Sequence, residues 1–375
     1  MIDVLYTPLR TATPAAPLPL EARRVRRWFV ALPRRRWEPW RDWALIALVN
    51  NAMLLTVALL QPRGLLLVLA AVPVAVGFAT GTLTVLHDAG HRMFSNRSWP
   101  NVFAVQTSTP AGLWVSHWTL KHRVHHKLSQ VYPIDEATRS SSMVRLHPDA
   151  PGNRWQRAQH FYAWPLYGLA WAGELRSQLR YLRTGEVTGI ETPPGAKRLA
   201  SFVAEKGLCL LVLAPYAWLL GVGRLAILLL VVETLASLIA AVVLVVGHIN
   251  EGLTPSSEPP GRAWAAYLVR TTASFSTTSR AMRWLTGGMT HHLAHHLRPV
   301  AVRSELPRLH ETVVRDVVAY TGLTHVEYPT LHEAVAGHWR RLRELGQPGA
   351  VQSQVVRPAD TREPAAPGRV PEPAA

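Results

Sequence analysis

Four stretches of the chain are nearly free of charge and close to the length that a lipid bilayer demands. Trp43–Leu60 and Leu65–Leu86 contain no charged residue and are separated only by Gln61-Pro62-Arg63-Gly64. A second pair follows: Gly207–Val222 and Leu225–Gly247, separated by Gly223-Arg224 and interrupted only by Glu233. A membrane-crossing helix needs about 20 predominantly apolar residues. Hydrocarbon offers the backbone no partner, so such runs must satisfy their own amides as helices. The third run is short, and spans only by extending back through Lys206 and Glu205 to Leu199. The expected fold is all-α and integral to a membrane. Its four transmembrane helices, at 43–60, 65–86, 199–222 and 225–247, form two hairpins.

Two hairpins return both pairs of span ends to the side of the N-terminus. Residues 1–42 carry Arg23, Arg24, Arg26, Arg27, Arg34, Arg35, Arg36 and Arg41, whereas the opposite turns hold only Arg63 and Arg224. Basic segments stay on the cytoplasmic side, so that side is expected to be cytoplasmic. The chain is apolar and basic at once, 48% hydrophobic with a net charge of +16. Its hydrophobicity excludes a disordered chain. A charge gathered at one membrane face marks sidedness and lipid contact rather than a nucleic-acid partner. A single cysteine, Cys209, excludes internal disulfides and cysteine-ligated clusters. Pro110–Leu120 and Trp155–Leu182 mix aromatic, aliphatic and polar residues, as helices lying on a membrane surface do. Residues 301–345 read as soluble helices, and the Pro/Ala-rich tail 347–375 as disordered.

Seventeen histidines are present, and nine of them are arranged in motifs. His87 and His91 flank Asp88-Ala89-Gly90 at the end of the second run. His122, His125 and His126 follow the pattern H-x-x-H-H, as do His292, His295 and His296. His248 ends the fourth run. Residues spaced i, i+3 and i+4 share a helix face, so each motif can aim its imidazoles at one point. One tetrahedral ion takes four ligands. Nine nitrogens therefore suit two ions with positions left open for oxygen. Imidazole alone does not select among Fe, Zn, Cu and Ni. An oxygen-activating metal pair beneath an apolar bundle suits chemistry on a buried aliphatic chain. His117 and His291 adjoin the motifs with poorer spacing and are left undecided. His147, His160, His310, His325, His332 and His338 read as ordinary surface or core residues. A zinc protease is disfavoured, because no H-E-x-x-H is present.

The boxes HDAGH (87–91), HRVHH (122–126) and HLAHH (292–296), with GHINEG (247–252), resemble the integral-membrane fatty acid desaturase superfamily. The resemblance runs from about Gly81 to Leu345. It is nearest to bacterial enzymes similar to linoleoyl-CoA, or front-end, desaturases. Lys121, Asp135, the stretch LRYLRTGEVTG, Trp284-Leu285-Thr286-Gly287-Gly288 and EYPTLHEAVAGHWRRLRELG carry that nearness. Three positions depart from the front-end pattern. His292 stands where Gln is usual, Ala294 where Glu is usual, and Arg298 where Phe is usual.

The resemblance implies two Fe ions held by the nine histidines, O2 as co-substrate, and a double bond introduced into a fatty acyl chain. It places the enzyme in a bacterial-type inner membrane. Residues 1–42 hold no histidine and are too few for a fused cytochrome b5 domain, so an external donor such as a ferredoxin is expected. Asp88, Asp135 and Glu251 are the carboxylates expected to accept the outer N–H of ligand imidazoles. Glu233, inside a span, reads equally as a functional group or a hydrogen-bonded bundle residue. Lys121, Arg123, Lys127 and Arg298 are expected to face a donor or headgroup. A hydroxylase, ketolase or epoxidase would share this centre. A His-rich metal transporter would instead place ligands near the membrane midplane.

Overall fold

The uncharged runs fold as helices in a computed structural model that describes residues 37–187, 192–255 and 264–347. The arginines from Arg23 to Arg36 and the tail beyond Gln347 lie outside the described residues. Helix α1 spans Trp37–Leu60. Helix α2, Leu65–Gly81, continues through a π-turn, Thr82–Leu86, into the short α3, His87–Gly90. After α4 (Ser98–Ser108) and α5 (Val115–Lys127) come α6 (Gln159–Tyr167) and α7 (Ala170–Thr184). The second hairpin is α8 (Gly195–Leu220) and α9 (Val222–Val245). Then follow α10 (Trp264–Thr271), β1 (Ser274–Phe275), α11 (Arg280–Leu285) and α12 (His292–Leu297). The described residues end with α13 (Leu306–Leu309), α14 (Arg315–Thr321), β2 (Glu327–Tyr328) and α15 (Leu331–Leu345).

Among the described residues, four helices are long and apolar enough to cross a membrane: Trp37–Leu60, Leu65–Gly90, Gly195–Leu220 and Val222–Val245. The hairpins meet along α2 and α9. Leu67, Ala71, Val74, Ala75 and Phe78 face Leu225, Leu228, Val232 and Ala236 at helical spacing. Ala71 and Ala75 let the backbones approach, as small residues do between membrane helices. At the far end Gln61 donates to the Leu219 carbonyl at 2.9 Å and accepts from Arg224 at 3.3 Å, tying the two turns together. The outward faces stay apolar and bare; Leu65, Leu66, Leu210, Leu211 and Trp218 are all exposed, which only lipid can cover.

Polar residues in the spans are met from within. Asn50 donates to the carbonyls of Gly77 and Ser108, joining α1 to α2 and α4. Glu205 accepts from Ser116 and Ser201, and Lys206 donates to Gln178 at 2.7 Å. These bonds let α8 run through its charged half. The first described turns of α1 are held to the rest of the chain where Ser304 meets Glu38 at 2.7 Å and Arg303 meets Asp42 at 2.8 Å.

Pro110–Leu120 does not form one surface helix. Pro110 and Gly112 (φ +71°) keep the chain irregular until Val115, and the buried Trp114 donates to Ser201 at 3.0 Å. Trp155–Leu182 breaks at Gly168 into two helices, of which α6 packs on α9 and α15 through Ala163, Tyr167 and Leu342. The last segment adds a feature not read from the sequence. Strands β1 and β2 pair in parallel, Ser274 with Glu327 and Phe275 with Tyr328.

Two contacts fix the cap to the bundle. Gly287 (φ +62°) lies against the π-turn, where a Cβ would come within 2.7 Å of the Leu83 carbonyl carbon. His338, fully buried on α15, accepts from the Tyr167 hydroxyl at 2.8 Å and donates from Nδ1 to the Ile249 carbonyl at 2.5 Å. Both ring nitrogens are used by the neutral form, and burial lowers the His338 pKa to about 4.

Gly287→Ala should destabilise the fold by about 1–3 kcal/mol from its left-handed φ alone. The contact with Leu83 adds to that cost, and the melting temperature reads both. In the unfolded chain His338 takes up a proton below about pH 6.5, whereas the folded protein refuses it until about pH 4. Its contribution is therefore whole above pH 6.5 and declines from there toward pH 4. His338→Gln should flatten that part of the profile of melting temperature against pH.

Candidate metal centre

Each histidine motif sits where a helix ends at the foot of the bundle. The π-turn Thr82–Leu86 widens the helix by one residue per turn and sets the direction of His87; His91 closes α3. His122, His125 and His126 occupy the end of α5, His248 follows α9, and α12 carries His292, His295 and His296. Gly247 is required beside them, because a Cβ there would lie 2.8 Å from the His292 ring.

The nine imidazoles sort into two groups. The ring nitrogens of His87, His91, His122, His126 and His295 all lie within 4.8 Å of one another, as do those of His125, His248 and His296. His292 joins the second group, with Nε2 2.7 Å from Nε2 of His248. That same His248 nitrogen lies 3.0 Å from Nε2 of His125 and 3.1 Å from Nε2 of His296. One ring nitrogen has a single in-plane proton or lone pair. It cannot form hydrogen bonds to three neighbours at once. A cation accepting all four lone pairs satisfies the geometry, so the residues fit a metal ion. In the first group Nε2 of His91 and His122 are 2.9 Å apart, and those of His126 and His295 3.1 Å apart.

Burial, followed by the charges of neighbouring imidazoles, lowers the pKa of His122, His126, His292, His295 and His296 well below the ordinary value, and lowers His248 to about 3. The rings are thus held neutral at pH 7, the form that ligates metal. Asp135 orients one of them. Its Oδ2 accepts from Nδ1 of His125 at 3.0 Å, from the Gln130 amide at 2.8 Å and from Thr138 at 3.1 Å. Burial alone would raise its pKa, but His125 and these donors win and hold it at about 2. Nδ1 of His248 lies 3.3 Å from the Thr271 carbonyl. Both outer nitrogens therefore face acceptors, leaving Nε2 for the metal.

A cavity of about 780 Å³ runs along this wall. Its interior is formed by Leu83, Trp118, Ala241, Leu244 and Val245 beside His87, His122, His125, His248 and His292. Its mouth is polar, with Ser140, Ser141, Arg139, Arg176 and Arg180. Residues 63–329 match the sequence profile of the fatty acid desaturase family. The chain belongs to that family.

Two cyanobacterial relatives are each described as an sn-1 linoleoyl-lipid 6-desaturase. The one from Synechocystis sp. is 27% identical over 289 residues, covering 74% of this chain and 80% of its own. The one from Arthrospira platensis is 24% identical over 282 residues, covering 72% and 74%. An acyl-lipid (8-3)-desaturase from Physcomitrium patens is 22% identical over 276 residues, covering 70% and 57%. The protein is thus a membrane-integral oxidoreductase, a desaturase of fatty acyl chains. The transporter alternative gives way to this family membership.

The desaturase fold leaves several expected residues outside the clusters. Glu251 does not orient an imidazole; its carboxylate pairs with Arg340, including a bond of 2.6 Å to Nε, at the surface. Asp88 makes no hydrogen bond to an imidazole among the described residues, and its charged neighbours are Asp42, Arg303 and Glu38. His117 turns away to Glu174 at 3.2 Å and stacks on Tyr181, while His291 contacts Thr290 at 2.8 Å. Arg123 and Arg298 are buried, and Lys121 pairs with Glu174; Lys127 alone of the box-flanking cations stays exposed. Glu233 leaves Oε1 buried without a hydrogen-bond partner among the described residues. Glu174 escaped the sequence reading, because its partners His117 and Lys121 lie on a helix more than 50 positions away. The cavity wall on α9 had a usable signal: Ala241, Leu244, Val245 and His248 stand at i, i+3, i+4 and i+7, one helix face. Asp135→Asn should lower metal affinity about 10–100-fold, the usual effect of losing such a partner. Metal retained per chain after dialysis against a chelator measures it, with Glu251→Gln expected to behave as wild type.

Proposed function

We propose that this desaturase binds two Fe ions, one at His87, His91, His122, His126 and His295 and one at His125, His248, His292 and His296. The observation that carries the reading is the division of nine imidazoles, seven of them buried, into two convergent groups beside one cavity. When bound, the iron pair supplies the O2 activation that removes hydrogen from two adjacent carbons. In balance, –CH2–CH2– with O2, two electrons and two protons becomes –CH=CH– and two waters. The electrons come from an external donor such as a ferredoxin.

The chain's own work is placement and shielding. Leu83, Trp118, Leu244 and Val245 hold an aliphatic segment against the imidazole wall and keep water from it. Asp135 fixes the tautomer and plane of His125, so that Nε2 stays unprotonated. The serines and arginines of the mouth receive the polar end of the substrate. The cyanobacterial relatives carry linoleoyl-lipid in their descriptions and the Physcomitrium relative acyl-lipid, which supports an acyl chain esterified to a membrane lipid as substrate here. The basic N-terminal segment supports a cytoplasmic position for the boxes and both termini in a bacterial-type inner membrane.

Purified protein should contain two irons per chain, and reduction in the presence of O2 and acyl lipid should give a product two hydrogens lighter by mass spectrometry. His125→Ala and His296→Ala should each lower iron content and abolish product. Iron-free active protein, or full activity in both variants, would refute the assignment; a product heavier by one oxygen would make the enzyme a hydroxylase.

A further inference from the structure

Helix α11 is exposed at Arg280, Ala281, Trp284 and Leu285 and half-buried at Met282 and Arg283. None of its residues is buried, and Trp284 and Leu285 are 36% and 39% exposed. Three guanidinium groups gather there. Arg303 lies 5.8 Å from the Trp284 ring centre. Burial and then the like charges of Arg280 and Arg303 lower the Arg283 pKa. The acids nearby, Asp42, Glu38 and Asp88, gather on the Arg303 side of the patch. Asp42 meets Arg303 at 2.8 Å, but it also holds Arg41 at 2.8 Å. Arg280 and Arg283 have no acidic partner among the described residues.

The patch lies level with the box-side ends of the spans. Gly287, just past α11, abuts Leu83 and Thr84, and Arg303 and Ser304 grip Asp42 and Glu38 on the first turns of α1. On α1 itself the exposed Trp37 carries Arg41 over its ring at 5.0 Å. Aromatic and basic residues together at a span end mark the layer between acyl tails and headgroups.

We propose that α11 and Arg303 form a binding site for the phosphate of an anionic phospholipid. Arg280 and Arg283 hold the phosphate, Arg303 adds its charge from beneath while paired with Asp42, and Trp284 and Leu285 enter the lipid beside it. Guanidinium groups suit this ligand because their paired N–H donors match phosphate oxygens. The exposed apolar pair decides for lipid over an acidic protein. It adjoins the lipid-covered ends of the first hairpin, and a docked protein would have to reach below the headgroups to cover it.

The test uses the full chain in neutral detergent, with bound lipid read by native mass spectrometry and stability by melting temperature. Phosphatidylglycerol should be retained and should raise the melting temperature, whereas phosphatidylcholine and inorganic phosphate should not. Arg280→Gln with Arg283→Gln should retain on the order of tenfold less phosphatidylglycerol, given the attraction each basic residue contributes near an anionic surface. Its iron content and turnover in uncharged lipid should stay unchanged, and the Lys pair at the same positions should restore part of the binding. Equal retention of the two lipids, or an equal rise with inorganic phosphate, would overturn the site. So would an undiminished phosphatidylglycerol preference in the Gln variant, and a raised KM for a reduced acidic donor in that variant would then reassign the patch to electron transfer.

Discussion

Nitrogen lone pairs that outnumber the protons available to join them are the constraint on which the rest of the molecule turns. Around His248 three imidazole nitrogens lie within 3.1 Å of a fourth. Desolvation keeps the rings neutral, so repulsion cannot be relieved by protonation near pH 7. Packing must therefore hold the rings together until a cation compensates them. That demand explains why the supports are stiff and short-range: a carboxylate on His125, a carbonyl on His248, a glycine that admits the His292 ring, and a π-turn under His87.

The membrane half of the fold serves the same end by a different route. Four spans provide a frame whose backbone is already satisfied, and polar exceptions such as Asn50 and Glu205 are used to join elements. His87, His91 and His248 sit at the ends of the second and fourth spans, and the other six histidines lie on the short helices α5 and α12. The cavity then runs between an apolar ceiling from the π-turn after α2 and from α9 and a polar mouth from α7 and the segment after Asp135. A chain with one greasy end and one polar end has only one sensible orientation there.

Much of this was legible because the signals are local. Apolar length marks a span, and i, i+3, i+4 spacing marks a shared face; neither depends on distant residues. Asp135 was legible for a related reason, lying close in sequence to the histidine it orients. Glu251 was misleading because its partner, Arg340, is 89 positions away. The same holds for Lys121, expected at a docking face and found paired with Glu174 across 53 positions. His117 and His291 sit beside true members of each group, and only the direction of the side chain separates them. Pro110 and Gly112 were visible, but their neighbours' amphiphilic character outweighed them in the reading of a helix.

Helix α15 supplies no member of either group, yet its His338 holds the Ile249 carbonyl and its Ala334 carbonyl receives Asn250. Strand β2 holds the Ser274 segment, which follows directly on the Thr271 carbonyl that faces His248. The ribosome makes these clasps last, long after the first hairpin has entered the membrane. The box histidines are therefore synthesised before the elements that clasp Ile249, Asn250 and the Ser274 segment beside them, so the two imidazole groups gain their full support only once α15 has been made.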